Sequence, residues 1–120
     1  MCANRKITAL IQHIEDNEFA LLMLSVDGQA LGSCQIACWN EDQPSILGII
    51  VDAEHRSKGH ASALIQYAIE AARAEGKSAL TLTVEKANAA AISLYRRMGF
   101  VTDLEDPAEL WMSIQLNSPK

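Results

Sequence analysis

Along the first half of the chain, apolar residues come in runs whose spacing changes from one run to the next. Over residues 5–15, Ile7, Leu10, Ile11 and Ile14 fall at i, i+3, i+4 and i+7, the period of one helix face, although "ITALI" alone also suits a strand. The spacing predicts a helix here, with Asn4 as its N-cap. "EFALLMLSVDGQALGSCQIACW" reads as two strands joined through Asp27-Gly28, a dipeptide that accepts the positive φ of a tight hairpin turn. An antiparallel pair is expected. "SILGIIVD" is a short continuous apolar run with β-branched residues, the pattern of a strand buried on both faces.

Beyond residue 60 the period becomes helical. Ala61, Leu64, Ile65, Ala68, Ile69 and Ala72 form one stripe from Ala61 to Glu75, with Gln66, Glu70 and Arg73 on the other side and Gly76 as the stop. In "ALTLTVE", Leu80, Leu82 and Val84 alternate with Thr81, Thr83 and Glu85, as in a strand. Strand, helix, strand at this spacing predicts a βαβ unit with a right-handed crossover between parallel strands. A second helix is expected from about Asn88 to Met98, closed by Gly99, and "ELWMSIQL" gives a last alternating strand. The stretch between them, with Asp103, Glu105, Asp106 and Glu109, reads as an acidic solvated loop.

Composition narrows the class. A chain of 120 residues, 49% hydrophobic but only 5% aromatic, fits one domain over residues 1–120 with an aliphatic core. The longest apolar run, Phe19 to Leu24, is far short of the roughly 18 residues that span a bilayer, and no cleavable leader opens the chain. The expectation is a soluble cytoplasmic protein without a membrane partner. Net charge is −5 and Lys plus Arg number ten, scattered except for Arg56/Lys58 and Arg96/Arg97, so nucleic acid is not an expected partner. Cys2, Cys34 and Cys38 form neither a disulfide scaffold nor a metal-ligand pattern; buried thiols without a role, and no metal, are expected.

The loop "HRSKGHAS", residues 55–62, lies where a strand hands over to a helix. Backbone N–H groups converge at such a turn and bind anions, phosphate above all. Gly59 permits positive φ, Ala61 keeps the helix start uncrowded, and Arg56 and Lys58 add positive charge. The loop is neither a Walker loop nor a Gly-x-Gly-x-x-Gly dinucleotide turn.

Arg56-x-x-Gly59-x-Ala61 after a strand and opening a helix resembles the pyrophosphate loop of the GNAT N-acetyltransferases. "NAAAISLYRRMGF", residues 88–100, resembles that family's second hallmark: Asn, then Tyr seven residues on, then Gly-Phe. The two motifs, in the right order and spacing, cover with their surroundings about half the chain, and the nearest likeness is to the ribosomal-protein alanine N-acetyltransferases of that family. The resemblance implies an α/β (α+β) fold: a mixed, mostly antiparallel sheet with a central parallel βαβ unit and helices on both faces. It implies acetyl-CoA as co-substrate and a primary amine as acceptor. Ile49, Ile50 and Val51 would pair with pantetheine, the Val51 N–H aimed at the thioester carbonyl. Arg56, Ser57, Lys58, Gly59, His60, Ala61 and Ser62 would wrap the pyrophosphate, His60 as a bystander side chain. Asn88 would hydrogen-bond the pantetheine arm, and Tyr95 would protonate the leaving thiolate.

Taken singly, these residues have plainer readings. Asn88 is a good helix N-cap, Tyr95 a core residue with its hydroxyl at the edge, Arg56 and Lys58 a solvated turn. Their joint occurrence carries the functional reading. A catalytically weak acyl-CoA-binding module is the alternative, because two features depart from the family. The alanine acetyltransferases place a basic Glu five residues before the Asn, where this chain has Thr83. Glu85 lies on the same strand face roughly 7 Å further along, and Glu41, Asp42 or solvent are the other candidates for proton removal. Only about 45 residues precede "SILGIIVD", fewer than the family's usual acceptor-side segment. An open acceptor pocket, or one completed in a homodimer, is therefore expected. The acidic residues after Gly-Phe would then border the acceptor cleft and attract a cationic amine.

Overall fold

The computed structural model describes residues 5–14, 17–26, 29–51 and 59–116. Three antiparallel strands come first: β1 (Arg5–Ile14), β2 (Asn17–Val26) and β3 (Gln29–Ala37). The helix expected over residues 5–15 is therefore a strand. The i, i+3, i+4, i+7 spacing is also compatible with an extended segment, and pairing decides between the two: β1 is in register with β2 from Arg5↔Val26 to Ile14↔Asn17. The expected cap Asn4 lies outside the described residues. β2 and β3 form the expected antiparallel pair, with Val26 opposite Gln29; the turn residues Asp27-Gly28 also lie outside them.

β4 (Ser45–Val51), α1 (His60–Ala74) and β5 (Ala79–Glu85) follow, then α2 (Ala89–Met98), β6 (Val101–Glu105) and β7 (Glu109–Gln115). The strands make one sheet in the order β1-β2-β3-β4-β5-β7-β6. β4 and β5 are its parallel pair, so the sheet is mixed and mostly antiparallel, with the βαβ unit β4-α1-β5 at its centre. The acidic stretch expected as a loop is strand β6, paired with β7 with a bulge between Thr102 and Leu104. Its five residues are all exposed, and with no buried face it carries none of the apolar alternation that marks a strand in sequence.

One apolar core joins these elements. The α1 stripe of Leu64, Ile65, Ala68, Ile69 and Ala72 packs with Leu22 and Leu24 of β2, Cys34 and Ile36 of β3, and Leu80, Leu82 and Val84 of β5. Leu110 and Met112 of β7 continue it, and α2 lies against it through half-buried Ile92, Leu94, Tyr95 and Met98. No helix among the described residues is long and apolar enough to cross a membrane.

β4 departs from its expected burial on both faces: Ile46 is buried, but Leu47 and Ile50 are 59% and 66% exposed. Two features of pairing account for this. One step on β3, from Gln35 to Ile36, is matched by two on β4, from Gly48 to Ile46, so Leu47 is an extra residue that kinks the strand. β4 is in register with β5 only at Ser45↔Thr81 and Ile46↔Leu82. Past the kink the two strands diverge, and among the described residues the far half of β4 is in register with β3 only.

Candidate functional site

The opening between β4 and β5 is held in shape from its closed end. Asp42, just before β4, accepts hydrogen bonds from the Ser78 backbone N–H at 3.1 Å and from the Ser78 hydroxyl. The Thr81 N–H donates to the Pro44 carbonyl at 3.0 Å. These contacts tie the starts of the two strands together while their ends part. Asp42 and Glu41 thus lie at the closed end, roughly 20 Å of strand from Val51. That distance removes them as candidates for taking a proton at the open end.

At the open end lies a cleft of about 380 Å³. β4 lines it with Ile49, Ile50 and Val51, α1 with Ala61, and the α2 side with Asn88, Ala91, Leu94 and Tyr95. Six residues expected at the site, Ile49, Ile50, Val51, Ala61, Asn88 and Tyr95, are therefore brought together from β4, α1 and the α2 side. Ala91 and Leu94 were missed as individuals, although the helical period running from Asn88 through Ala91 to Tyr95 places Ala91 on the same face. A larger open concavity of about 550 Å³ lies on the opposite side of α2, lined by Lys86, Ala89, Ile92, Ser93, Arg96 and Arg97. Neither β4 nor α1 borders it, so its size does not make it the site of these motifs.

The β4 backbone has a definite orientation here. Gly32 of β3 faces Val51, and a Cβ on Gly32 would lie 2.7 Å from the Ile50 carbonyl oxygen, which places that carbonyl on the β3 side. No cis peptide occurs among the described residues, and in a planar trans peptide the N–H points opposite to the C=O. The Val51 N–H is thereby directed away from β3, towards the side from which β5 has withdrawn.

α1 begins at the cleft. Its N-cap is Gly59 at φ 82°, ψ 8°, the left-handed conformation for which the sequence reading required glycine, and a Cβ there would meet nothing within 4 Å. The demand is thus conformational rather than steric. The Ala63 N–H already bonds the Gly59 carbonyl at 3.1 Å, so the N–H groups ahead of it are those a helix start offers to an anion. His60, its side chain expected as a bystander, is buried at 8% exposure in the first turn. Its backbone, not its ring, is what the site can use. Ser62 is half-buried next to Ala61. Arg56, Ser57 and Lys58 lie outside the described residues.

On α2, Asn88 is the N-cap: its side-chain oxygen accepts from the Ala91 N–H at 3.2 Å. The plain reading of Asn88 as a cap is correct, and the oxygen is engaged in it. What Asn88 offers the cleft is the pair of N–H donors on its amide nitrogen. Tyr95 is half-buried, its ring tilted against Phe100 with centroids 5.9 Å apart. Burial lifts its hydroxyl above the ordinary phenol range, and the nearby Cys34 adds to the effect. Tyr95 therefore holds its proton at neutral pH. Cys34 is fully buried and its thiol is pushed up to about 12 by desolvation, so it is no nucleophile.

Thr83 and Glu85 are exposed and alternate with the buried Leu82 and Val84. Thr83 faces Trp111 and Glu85 faces Glu109 across β5 and β7. No group of three or more His, Cys, Asp or Glu suited to a metal occurs among the described residues.

With this geometry in place, the likeness to known proteins can be stated. The chain matches the model of the Acetyltransferase (GNAT) family over residues 3–100. The chain belongs to this family. It is 38% identical over 79 residues to streptothricin acetyltransferase of Streptomyces lavendulae, covering 64% of this chain and 41% of that protein. It is 36% identical over 59 residues to the ribosomal protein bS18 alanine N-acetyltransferase of Escherichia coli K12, covering 49% of this chain and 40% of that one. The chain thus spans about two-fifths of the length of the curated relatives it matches. The crystal structure of the S18 alanine N-acetyltransferase from Escherichia coli superposes with a TM-score of 0.83 at 18% identity, covering 98% of this chain and 97% of that one. Another neighbour, yncA of Salmonella typhimurium, was solved with its cofactor acetyl-CoA and gives a TM-score of 0.75 at 22% identity over 84% of this chain and 66% of that one. The GNAT fold and family are thereby established, in agreement with the resemblance read from the two motifs.

Proposed function

We propose that this chain binds acetyl-CoA in the cleft between β4 and β5 and transfers its acetyl group directly to a primary amine. The observation that carries the reading is the convergence at one opening of the divergent β4 backbone, the N-terminus of α1 and the Asn88/Tyr95 face of α2. The helix start beginning at Gly59, with Ser62 and the loop residues Arg56 to Lys58, takes the pyrophosphate. Ile49 to Val51 pair with the pantetheine arm, and Asn88 donates to it.

In the ternary complex the acceptor nitrogen attacks the thioester carbonyl carbon, forming the C–N bond. The Val51 N–H stabilises the charge that develops on the carbonyl oxygen; its direction away from β3 supports this role. As the C–S bond breaks, Tyr95 gives its proton to the leaving thiolate. The ammonium proton of the acceptor leaves to water, with Glu85 as the nearest carboxylate on the face of β5 that Thr83 shares. The products are the N-acetylated amine and CoA.

Relatives carry names that specify streptothricin and the alanine of bS18 as acceptors; here the acceptor is assigned only as a primary amine. Thr83 and the exposed face around it suit an open acceptor site, and the proposal includes a homodimer formed over the exposed Val101 and Leu104, 58% and 62% accessible. Thermal shift with acetyl-CoA, followed by CoA release with a panel of amines, tests the reading. A shift with amine-dependent release supports it. A shift without release leaves an acyl-CoA-binding module, and no shift removes both.

A further inference from the structure

Gly32 lies in β3 opposite Val51 and lines no part of the cleft. A Cβ at this position would be 2.7 Å from the Ile50 carbonyl oxygen and 3.4 Å from both the Val51 Cα and the Leu64 Cδ1. β3, the end of β4 and the first turns of α1 thus meet at one point, where the Ile50 carbonyl alone stands too close for a Cβ. The Leu64 methyl and the Val51 Cα, each at 3.4 Å, would be in ordinary van der Waals contact and need not move. The Ile50 carbonyl belongs to the backbone and cannot yield without moving β4.

The Ile50 C=O and the Val51 N–H are two ends of the same planar peptide, so whatever displaces one turns the other. Register between β4 and β5 ends at Ile46. Among the described residues no strand is in register with the Ile50–Val51 peptide on that side, so a push from β3 is directed towards the cleft. Gly48 provides the contrast: it lies in β4 itself, three residues from Val51, and a Cβ there would meet nothing within 4 Å.

We infer that Gly32 is a positioning residue for acyl transfer: by having no side chain it seats the Ile50–Val51 peptide so that the Val51 N–H meets the acetyl carbonyl. The inference rests on the acetyltransferase reading for its consequence in turnover, but not for its consequence in the bound thioester.

The test compares Gly32→Ala with Gly48→Ala. The readouts are CoA affinity by calorimetry, the infrared C=O stretch of bound carbonyl-labelled acetyl-CoA, and kcat with KM for the best amine of the panel. An N–H aimed at the carbonyl lowers its stretching frequency in the wild-type complex. Gly32→Ala is expected to keep CoA affinity within about threefold, to lose most of that frequency shift, and to lower kcat by about ten- to a hundredfold. Gly48→Ala is expected to match wild type in all three.

A wild-type carbonyl shift in Gly32→Ala, or an equal loss in Gly48→Ala, overturns the inference. So does a fall in CoA affinity that parallels the fall in kcat, since that marks a general structural role. If wild type shifts the carbonyl but acetylates no amine, and Gly32→Ala abolishes the shift, the acetyltransferase reading fails while the role of Gly32 stands. If wild type shows no shift, the role of Gly32 falls whatever the turnover. Should Gly32→Ala not fold alone, the same readouts are taken on the variant refolded with saturating acetyl-CoA, whose binding stabilises the folded state, and failure to fold even then marks a general structural role and overturns the inference.

Discussion

Tyr95 shows how one residue serves two ends. Its ring packs against Phe100, and burial raises its pKa, which keeps the hydroxyl protonated for the proposed transfer of a proton to the leaving thiolate. Tyr95→Phe keeps the packing and removes the proton, so kcat is expected to fall by about a hundredfold or more with the Kd for CoA little changed, as steady-state kinetics and calorimetry would show. The sign of the pKa shift adds a second check. A raised value leaves the acid form intact at neutral pH, so the alkaline limb of kcat should lie above the ordinary phenol range and be absent in the Phe variant. The same shift works against the fold at high pH: the unfolded phenol deprotonates first, and the stability gained below that point is lost as pH rises through the folded pKa. Tyr95 was legible in the sequence as a helix residue seven positions after Asn88. Its elevated pKa was not, because burial by Phe100 and the proximity of Cys34 exist only in the fold.

At the scale of elements, α2 and the β4–β5 pair carry the site. Asn88 both caps α2 and lines the cleft; the cap uses its oxygen, and the proposed hydrogen bond to the ligand would use its amide nitrogen. Asn88→Asp keeps a capping oxygen and removes the donors, whereas Asn88→Ala removes both. The Asp variant should therefore retain wild-type stability in chemical denaturation while losing CoA affinity, and the Ala variant should lose affinity together with about 1 kcal/mol of stability. The β4–β5 opening depends on its closed end. Asp42→Ala removes two hydrogen bonds to Ser78 and is expected to lower stability by about 1–2 kcal/mol while leaving the pH profile of kcat unchanged. A profile that lost its acid limb in this variant would return Asp42 to the candidates for general base. The divergence of β4 from β5 could not be read from "SILGIIVD", since an apolar run says that a strand is buried or ligand-facing but not which neighbour it leaves. The kink at Leu47 and the end of pairing at Ile46 are relations between strands.

For the whole molecule, the question is what covers the exposed surface of a short chain. Asp103 sits at the bulge of the outermost strand β6, and charge with a bulge is how an edge strand is kept from pairing end on with another copy. A homodimer would then form through side chains such as Leu104 and Val101 rather than through strand pairing. Sedimentation velocity at tens of micromolar is expected to show a dimer for wild type and a monomer for Leu104→Glu. A monomer for both removes the dimer. The dominance of acidic over basic residues, net −5, suits attraction of a cationic amine to the open face.

Sequence alone determined the parts that depend on neighbours along the chain. The α1 stripe, the alternation of β5, the cap Asn88 and the positive-φ glycine Gly59 are local requirements, and the two motifs that contain Gly59 and Asn88 pointed to the family. Tertiary structure decided what depends on partners far away in the chain. β1 is a strand because β2 pairs with it; β6 is a strand without any apolar signature because β7 does the same. His60 is buried because of how α1 packs, and Gly32 acquires its importance only where β3, β4 and α1 meet. Spacing along a chain encodes local geometry, whereas contact between distant segments is set by packing that no single window of sequence contains.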